Sequence, residues 1–448
     1  MKKYRLLILL SLLLSMSIRA QDTIRLIPPR NSNVKWMILR RLVGARALFK
    51  GSVDHVGRGG ALFIMDKDAP AGEYAVQYDT RHTKGLRFIY NHEPVVIRFK
   101  PHYAAFAEVL KSKENKAYFA FQKADITAMV KFKKLKKQYY KTKNPALQKT
   151  YRRMRARYYK TMDSLLRVSK NLMAYHFIQG KIESLPPKLM PNVPAYVRYA
   201  EAHYFDRNDL NDKVLYNSGI VHDRVNEYVL RIPMFDFGFA KSRHYIRRID
   251  TVMKKLTYNP SRSEVLYSLI DHFSTEDRKV LNHLLAYYNR LPGRYRDTVF
   301  LHRLAKQHYP IKGDKFPLEK LKKTGKFKLQ SKPYYLFVFF SSDCPHCRRA
   351  LPKLYEKTKN LKNVQVISIG LENTEQHWKD FIKNFGGWTN LRVIADTEPD
   401  AYQDIVQSYN IEYTPTYFLT DSHLRILEKD TGESIVKRIV RYLQKHER

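Results

Sequence analysis

Tyr334-Tyr335-Leu336-Phe337-Val338-Phe339-Phe340, an apolar run of strand length, leads through Ser341-Ser342-Asp343 into Cys344-Pro345-His346-Cys347, where a helical pattern begins. These are the only two cysteines in 448 residues. A helix N-terminus offers unpaired N–H groups and a positive dipole end, both of which favour an anionic sulfur. The thiolate is the form that attacks a disulfide. Two intervening residues let Cys347 attack the mixed disulfide formed on Cys344 and release the product. A protonated His346 would add a second cation beside Cys344, and Asp343 would oppose it. Half a zinc site needs two further ligands, and no other cysteine exists to supply them. An inert buried pair would not need a strand–turn–helix setting. The motif therefore predicts a thiol–disulfide site, with Cys344 as nucleophile, Cys347 as resolving thiol and His346 tuning the thiolate.

Working outward, strands and helices alternate from about residue 315. Strands are expected over 364–370, 391–395, 417–420 and 424–427, and helices over 345–358, 375–385, 400–409 and 434–443. This is the pattern of a central sheet covered on both faces. Pro352 follows Cys347 by five residues, and Thr414-Pro415-Thr416 leads into the strand at 417–420. On these motifs, residues 315–448 resemble the thioredoxin superfamily. The resemblance implies a C-terminal α/β thioredoxin fold and a cis bond before Pro415. It also implies that Thr414 and Pro415 face the sulfurs and bind the backbone of the substrate. The redox-active disulfide Cys344–Cys347 would then be the sole cofactor. The long separation of Cys344 from Pro415 is similar to that of bacterial cytochrome-maturation thioredoxins. Asp343-Cys344, Pro352-Lys353-Leu354-Tyr355, Tyr413-Thr414-Pro415-Thr416 and His203-Tyr204-Phe205-Asp206 are similar to exported multidomain thioredoxin-like proteins of Bacteroidota.

The sequence departs from the family in places. Val338 and Ala350 stand where relatives carry acids that help deprotonate the second cysteine, which leaves Glu372 as a candidate for that role. Asp343 replaces the usual tryptophan before the first cysteine. His346 and Phe339-Phe340-Ser341 resemble the disulfide-introducing oxidases more closely. The direction of electron flow stays open at this point.

The remaining sequence divides into three parts. Residues 1–20 read as a secretory signal, with Lys2, Lys3 and Arg5 before the apolar run 6–14 and a small residue, Ala20, at the cut; Ser17 is an alternative cut. Export to the periplasm or cell envelope as a soluble protein follows, in a compartment where disulfides persist. Residues 21–100 are read as a small, mostly antiparallel β domain, on a period-two alternation that runs from Val34 to Lys100 and is punctuated by glycine and proline. The Gly57-Arg58-Gly59-Gly60 cluster reads as a hairpin turn, because no Lys-Ser/Thr or helix follows it. Residues 101–314 change to helical period, with Asn144-Pro145 dividing a helical hairpin and further helices expected over 225–258 and 263–309.

Charge is the remaining feature. The chain carries 82 Lys+Arg against 42 Asp+Glu, a net of +40, with a mean hydropathy of −0.51. That hydropathy excludes a polytopic membrane protein. The excess lies in residues 21–330 at +34, whereas 331–448 carry only +2. Between Lys131 and Lys160 there are 13 basic residues and no acid, with five tyrosines among them. A solvated basic face with core tyrosines is the leading reading. Anionic envelope surfaces come next, and nucleic acid comes last because an exported protein meets little of it. The histidines show no metal spacing, and no Gly-x-Ser-x-Gly elbow occurs. Two functions follow. The first is an exported thiol–disulfide oxidoreductase acting with client proteins and a redox partner protein. The second is a cell-envelope binding protein that works through its basic region, with the C-terminal fold as a docking module.

Overall fold

The computed structural model describes residues 22–79, 85–101, 106–305, 309–322, 325 and 327–447, so the expected signal at 1–20 lies outside them. The chain divides into two compact units, Met1–Tyr228 and Val229–Arg448.

In the first unit, alternating burial builds eight strands: β1 Thr23–Ile27, β2 Met37–Val43, β3 Arg46–Val53, β4 Ala61–Ile64, β5 Gly72–Gln77, β6 Leu86–Tyr90, β7 Val95–Arg98 and β8 Glu108–Lys111. They form two four-stranded sheets, ordered β4-β1-β7-β8 and β3-β2-β5-β6. Every pairing is antiparallel except β1 with β7. The strands begin before and end after the alternating stretch seen in the sequence. β8 buries little of its own surface and is held by its pairing with β7. The turn expected at Gly57–Gly60 is present, closed by Gly60 N–H to the Gly57 carbonyl at 3.0 Å. Gly60 has φ +82°, and a Cβ there would meet the Leu26 carbonyl at 2.2 Å, so only glycine fits.

Helices α1 Lys113–Thr142, α2 Ala146–Val168, α3 Met173–Gln179, α4 Val193–His203 and α5 Ile220–Asn226 complete this unit. Ser112 caps α1, and Asn144-Pro145 separates α1 from α2 as expected. Buried Asn115 exchanges two hydrogen bonds with the Ile89 backbone and fastens α1 to β6. Tyr151 and Tyr158 are buried, their hydroxyls donating to the Pro186 carbonyl and to Asp125. These tyrosines of the basic segment are core residues.

The second unit opens with α6 Phe239–Lys255, α7 Asn259–Phe273, α8 Arg278–Asn289 and α9 Thr298–Ala305. The two long helices expected over 225–258 and 263–309 are each interrupted. Pro233 and Gly238, the latter at φ +57°, keep residues 232–238 out of helix. Asp277 starts α8 by accepting from the Lys279 and Val280 amides, and Pro292 follows its end.

After α10 Leu318–Lys322 come β9 Tyr334–Phe340, α11 Pro345–Thr358, β10 Val364–Glu372, α12 Glu375–Ile382, β11 Thr389–Ile394, α13 Pro399–Tyr409, β12 Thr416–Asp421, β13 Ile426–Thr431 and α14 Glu433–Lys445. The sheet order is β11-β10-β9-β12-β13, with β9, β10 and β11 parallel and β12 and β13 antiparallel additions. Because β9 is central, successive side chains enter opposite cores. Leu336, Val338 and Phe340 pack with α11 and α14, while Phe337 and Phe339 pack with Tyr409 and Phe418. This is the α/β arrangement expected for the C-terminal part.

A short connecting segment joins the helices to this sheet. Gly313 N–H donates to the Ile426 carbonyl, Ile426 N–H to the Asp314 carbonyl and Phe316 N–H to the Leu424 carbonyl, at 2.8–2.9 Å. On its other side, Arg278 grips Asp314 through two nitrogens at 2.9 and 3.0 Å. Buried Lys312 meets buried Asp277 at 2.8 Å, and Ser242 donates to the same carboxylate.

Candidate active site

Strand β9 ends at Phe340, and the chain turns through Ser341-Ser342-Asp343 before Cys344 caps α11, with Pro345 in the first turn. Cys344 is half-buried at the helix mouth. Cys347, one turn on, is fully buried beside the apolar core that contains Val338 and Ala350. Both are free thiols. From the opposite side, the loop between α13 and β12 brings Thr414, whose peptide bond to Pro415 is cis. The Cys344 thiol donates to the Thr414 carbonyl at 3.3 Å. The structure thus brings Cys344, Cys347, Thr414 and Pro415 together.

Environment separates the two sulfurs. Burial alone would raise the pKa of Cys344. Hydrogen bonds to its sulfur from the Thr414 side chain, from Cys347 through amide and thiol, and from the His346 amide outweigh that and lower it. For Cys347 burial dominates and pushes its thiol up to about 12, against lowering hydrogen bonds from the Ser341 backbone and the Thr414 side chain. The two sulfurs are thus shifted in opposite directions, Cys344 towards the thiolate and Cys347 towards the protonated thiol.

His346 acts on Cys344 through its backbone amide. Its side chain is exposed and turned away, with Nδ1 2.8 Å from Arg349 Nη2. Arginine is always the donor, so Nδ1 is the acceptor in this contact. Asp343 directs its carboxylate to His377 at 3.0 Å and Arg348 at 3.7 Å. The pairing with His377 was not visible in the sequence, because helix α12 carries that residue from a distant part of the chain, whereas Arg348 lies only five residues on.

Glu372, considered as a base for Cys347, is used differently. Its side chain, 1% exposed at the end of β10, accepts from the Ser342 amide at 2.9 and 3.1 Å and from the Ser342 hydroxyl at 2.6 Å. Burial raises its pKa, opposed by these Ser342 bonds. Its hydrogen bonds go to the loop that precedes Cys344 rather than to a sulfur. The Ser342 carbonyl in turn accepts from Arg348 Nε. Tyr413, immediately before Thr414, is 69% exposed. Tyr413 figures in the sequence only within the motif Tyr413-Thr414-Pro415-Thr416, with no role of its own.

Among the described residues no group of three or more His, Cys, Asp or Glu side chains is placed to hold a metal ion. His203 pairs with Asp206 and His283 with Asp250, both at 2.7 Å. Among the same residues no helix is long and apolar enough to cross a membrane.

The family described as thioredoxin-like matches residues 332–426. The chain is 28% identical over 138 residues to the thiol-disulfide oxidoreductase ResA of Bacillus cereus, a match covering 30% of this chain and 70% of that protein. Similar solved structures include the thioredoxin domain of a thiol-disulfide oxidoreductase from Bacteroides vulgatus, at 23% identity and TM-score 0.22, covering 25% of this chain and 81% of that one. A thiol:disulfide interchange protein from a Bacteroides species is also similar, at 21% identity and TM-score 0.22, with 25% and 75% covered.

Proposed function

Residues 332–426 being a thioredoxin-like domain, we propose that the protein is an exported thiol–disulfide oxidoreductase that acts on protein disulfides or dithiols through Cys344 and Cys347. The observation that carries this reading is the opposite perturbation of two sulfurs one helical turn apart, Cys344 lowered and Cys347 raised to about 12.

In the reducing direction the Cys344 thiolate attacks a client disulfide. A Cys344–client S–S bond forms, the client S–S bond breaks, and the departing sulfur takes up a proton. Cys347 then gives up its proton and attacks the Cys344 sulfur, which releases the second client thiol and leaves a Cys344–Cys347 disulfide. Two electrons have passed to the client, and a dithiol partner protein restores the pair. Oxidation of a client dithiol is the same sequence in reverse, with a disulfide-donating partner. Thr414 and Pro415 present the backbone edge against which the client chain aligns, and Glu372 holds the 341–343 loop in place through Ser342. The couple carries the electrons, so the proposed chemistry needs no further cofactor.

Trapping tests the reading. In full-length Cys347→Ala, mixed disulfides should accumulate on Cys344 in the cell envelope and disappear in the Cys344→Ser/Cys347→Ala double variant. Absence of any trapped species, together with absence of dithiol-dependent disulfide reduction by the wild-type chain, refutes it. The potential of the couple sets the direction, near ~ −120 mV for an oxidant and ~ −270 mV for a reductant.

A further inference from the structure

The basic helical hairpin has one face that the chain leaves open. On one side of α1 and α2, the segment 183–192 is tied down by Tyr151, Gln148 and Lys143. Elsewhere the two helices leave a trough of about 510 Å³ between them, lined only by their own residues. Ala120, Ala124 and Ala128 form the α1 wall, and Phe132, Met154 and Met162 contribute apolar surface. The small side chains on α1 make the trough a narrow slot. Its lining from residue 120 to 132 runs ~18 Å along the helix axis. The floor is apolar by construction: the Tyr158 hydroxyl is occupied by Asp125 and by the Glu183 amide, which leaves the ring facing the slot. Asp125, between lining residues Ala124 and Thr127, is thereby drawn away from the opening.

The rim has the opposite character. Lys123, Lys131 and Arg157 edge the slot, all exposed, and none of them has an ion-pair partner among the described residues. Lys123 and Lys131 stand ~12 Å apart along α1, so an anionic head group meets a cation whichever way its tail lies. A partner helix would need a broad apolar stripe, but of the exposed lining positions Ala120, Lys123, Thr127, Lys131 and Arg157 only Ala120 is apolar. A single flexible chain of methylenes fits where a helix does not. The volume lies within the ~300–1,000 Å³ of small-molecule sites.

We infer that the α1–α2 slot is a binding site for a monomeric single-chain anionic amphiphile of the long-chain carboxylate class, its tail in the apolar trough and its head on Lys123, Lys131 or Arg157. The inference is independent of the cysteine pair.

The test is fluorescence displacement on the full chain, with hexadecanoate below its micellar concentration and 1-hexadecanol as the neutral match. Hexadecanoate should bind saturably at one site, with hexadecanol at least tenfold weaker. Ala128→Trp, which fills the slot, and the triple variant Lys123→Glu/Lys131→Glu/Arg157→Glu, confined to exposed positions, should each weaken hexadecanoate at least tenfold. Should Ala128→Trp fail to fold, Ala120→Trp at the exposed lip serves instead. Equal binding of acid and alcohol, or affinity unmoved by either variant, overturns the inference. Retention on phosphatidylglycerol vesicles without binding of the monomer also overturns it and assigns the face to bilayer electrostatics.

Discussion

Glu372 offers a test of how the active-site loop is held. Its carboxylate makes three contacts of 2.6–3.1 Å to two buried donors of Ser342. Glu372→Ala leaves both donors without a partner in a residue 1% exposed. At about 1–3 kcal/mol for each orphaned group, the expected loss is about 3 kcal/mol. Glu372→Gln keeps an acceptor for the Ser342 amide and offers its NH₂ to the Ser342 oxygen, so its cost at neutral pH should stay within about 1 kcal/mol.

Proton linkage separates the two variants further. Burial raises the folded-state pKa of Glu372 above its ordinary 4.5. Between those values the folded chain binds more protons than the unfolded one, so this group's contribution is complete below 4.5 and is lost as pH rises through the folded pKa. Wild type should therefore lose stability across that window relative to Glu372→Gln, which has no proton to release. Guanidinium unfolding followed by Trp378 and Trp388, both in the redox unit, measures this at a series of pH values. Equal destabilisation by Ala and Gln, or a pH profile that Gln leaves unchanged, refutes the assignment of Glu372 as the anchor of Ser342.

Further predictions concern the thiols and the core. In the reduced chain, iodoacetamide should modify Cys344 with a midpoint below that of an ordinary thiol, while Cys347 stays protected towards its value of about 12; coincident midpoints would contradict the asymmetry. Thr414→Ala should move the Cys344 midpoint upward, read from the same alkylation curve. Asp277→Ala removes the cap of α8 and strands buried Lys312, for about 3–5 kcal/mol in chemical denaturation; pairing Asp277→Leu with Lys312→Met should recover most of that loss. Tyr151→Phe forfeits a buried bond to the Pro186 carbonyl and should cost about 1 kcal/mol by thermal unfolding.

Much of the redox unit was legible because its signals are local. Cys344-Pro345-His346-Cys347 follows an apolar strand within a few residues, and Thr414-Pro415-Thr416 announces its own turn. The hairpin of α1 and α2 was legible for the same reason, Asn144-Pro145 being a break set between two helical periods. What the sequence concealed depends on partners far along the chain. β1 owes its place to β4 and β7 on either side, and the alternation within Thr23–Ile27 is too short to announce a strand by itself. The helix breaks at Pro233 and Asp277 were present as residues but were outweighed by the surrounding periodicity. Glu372 was noticed as an acid without its receptor, since Ser342 reaches it only after β9 and β10 align in parallel register.

The segment 311–316 also makes the helices and the sheet of the second unit depend on one another. It hydrogen-bonds to Leu424 and Ile426, roughly a hundred residues downstream, and such non-local pairing closes late. The same segment is held from the helical side by Arg278 and, through Lys312, by Asp277. Neither the edge strand β13 nor the start of α8 is complete without it, so a disturbance at Ile426 is felt by the helices as well as by the sheet.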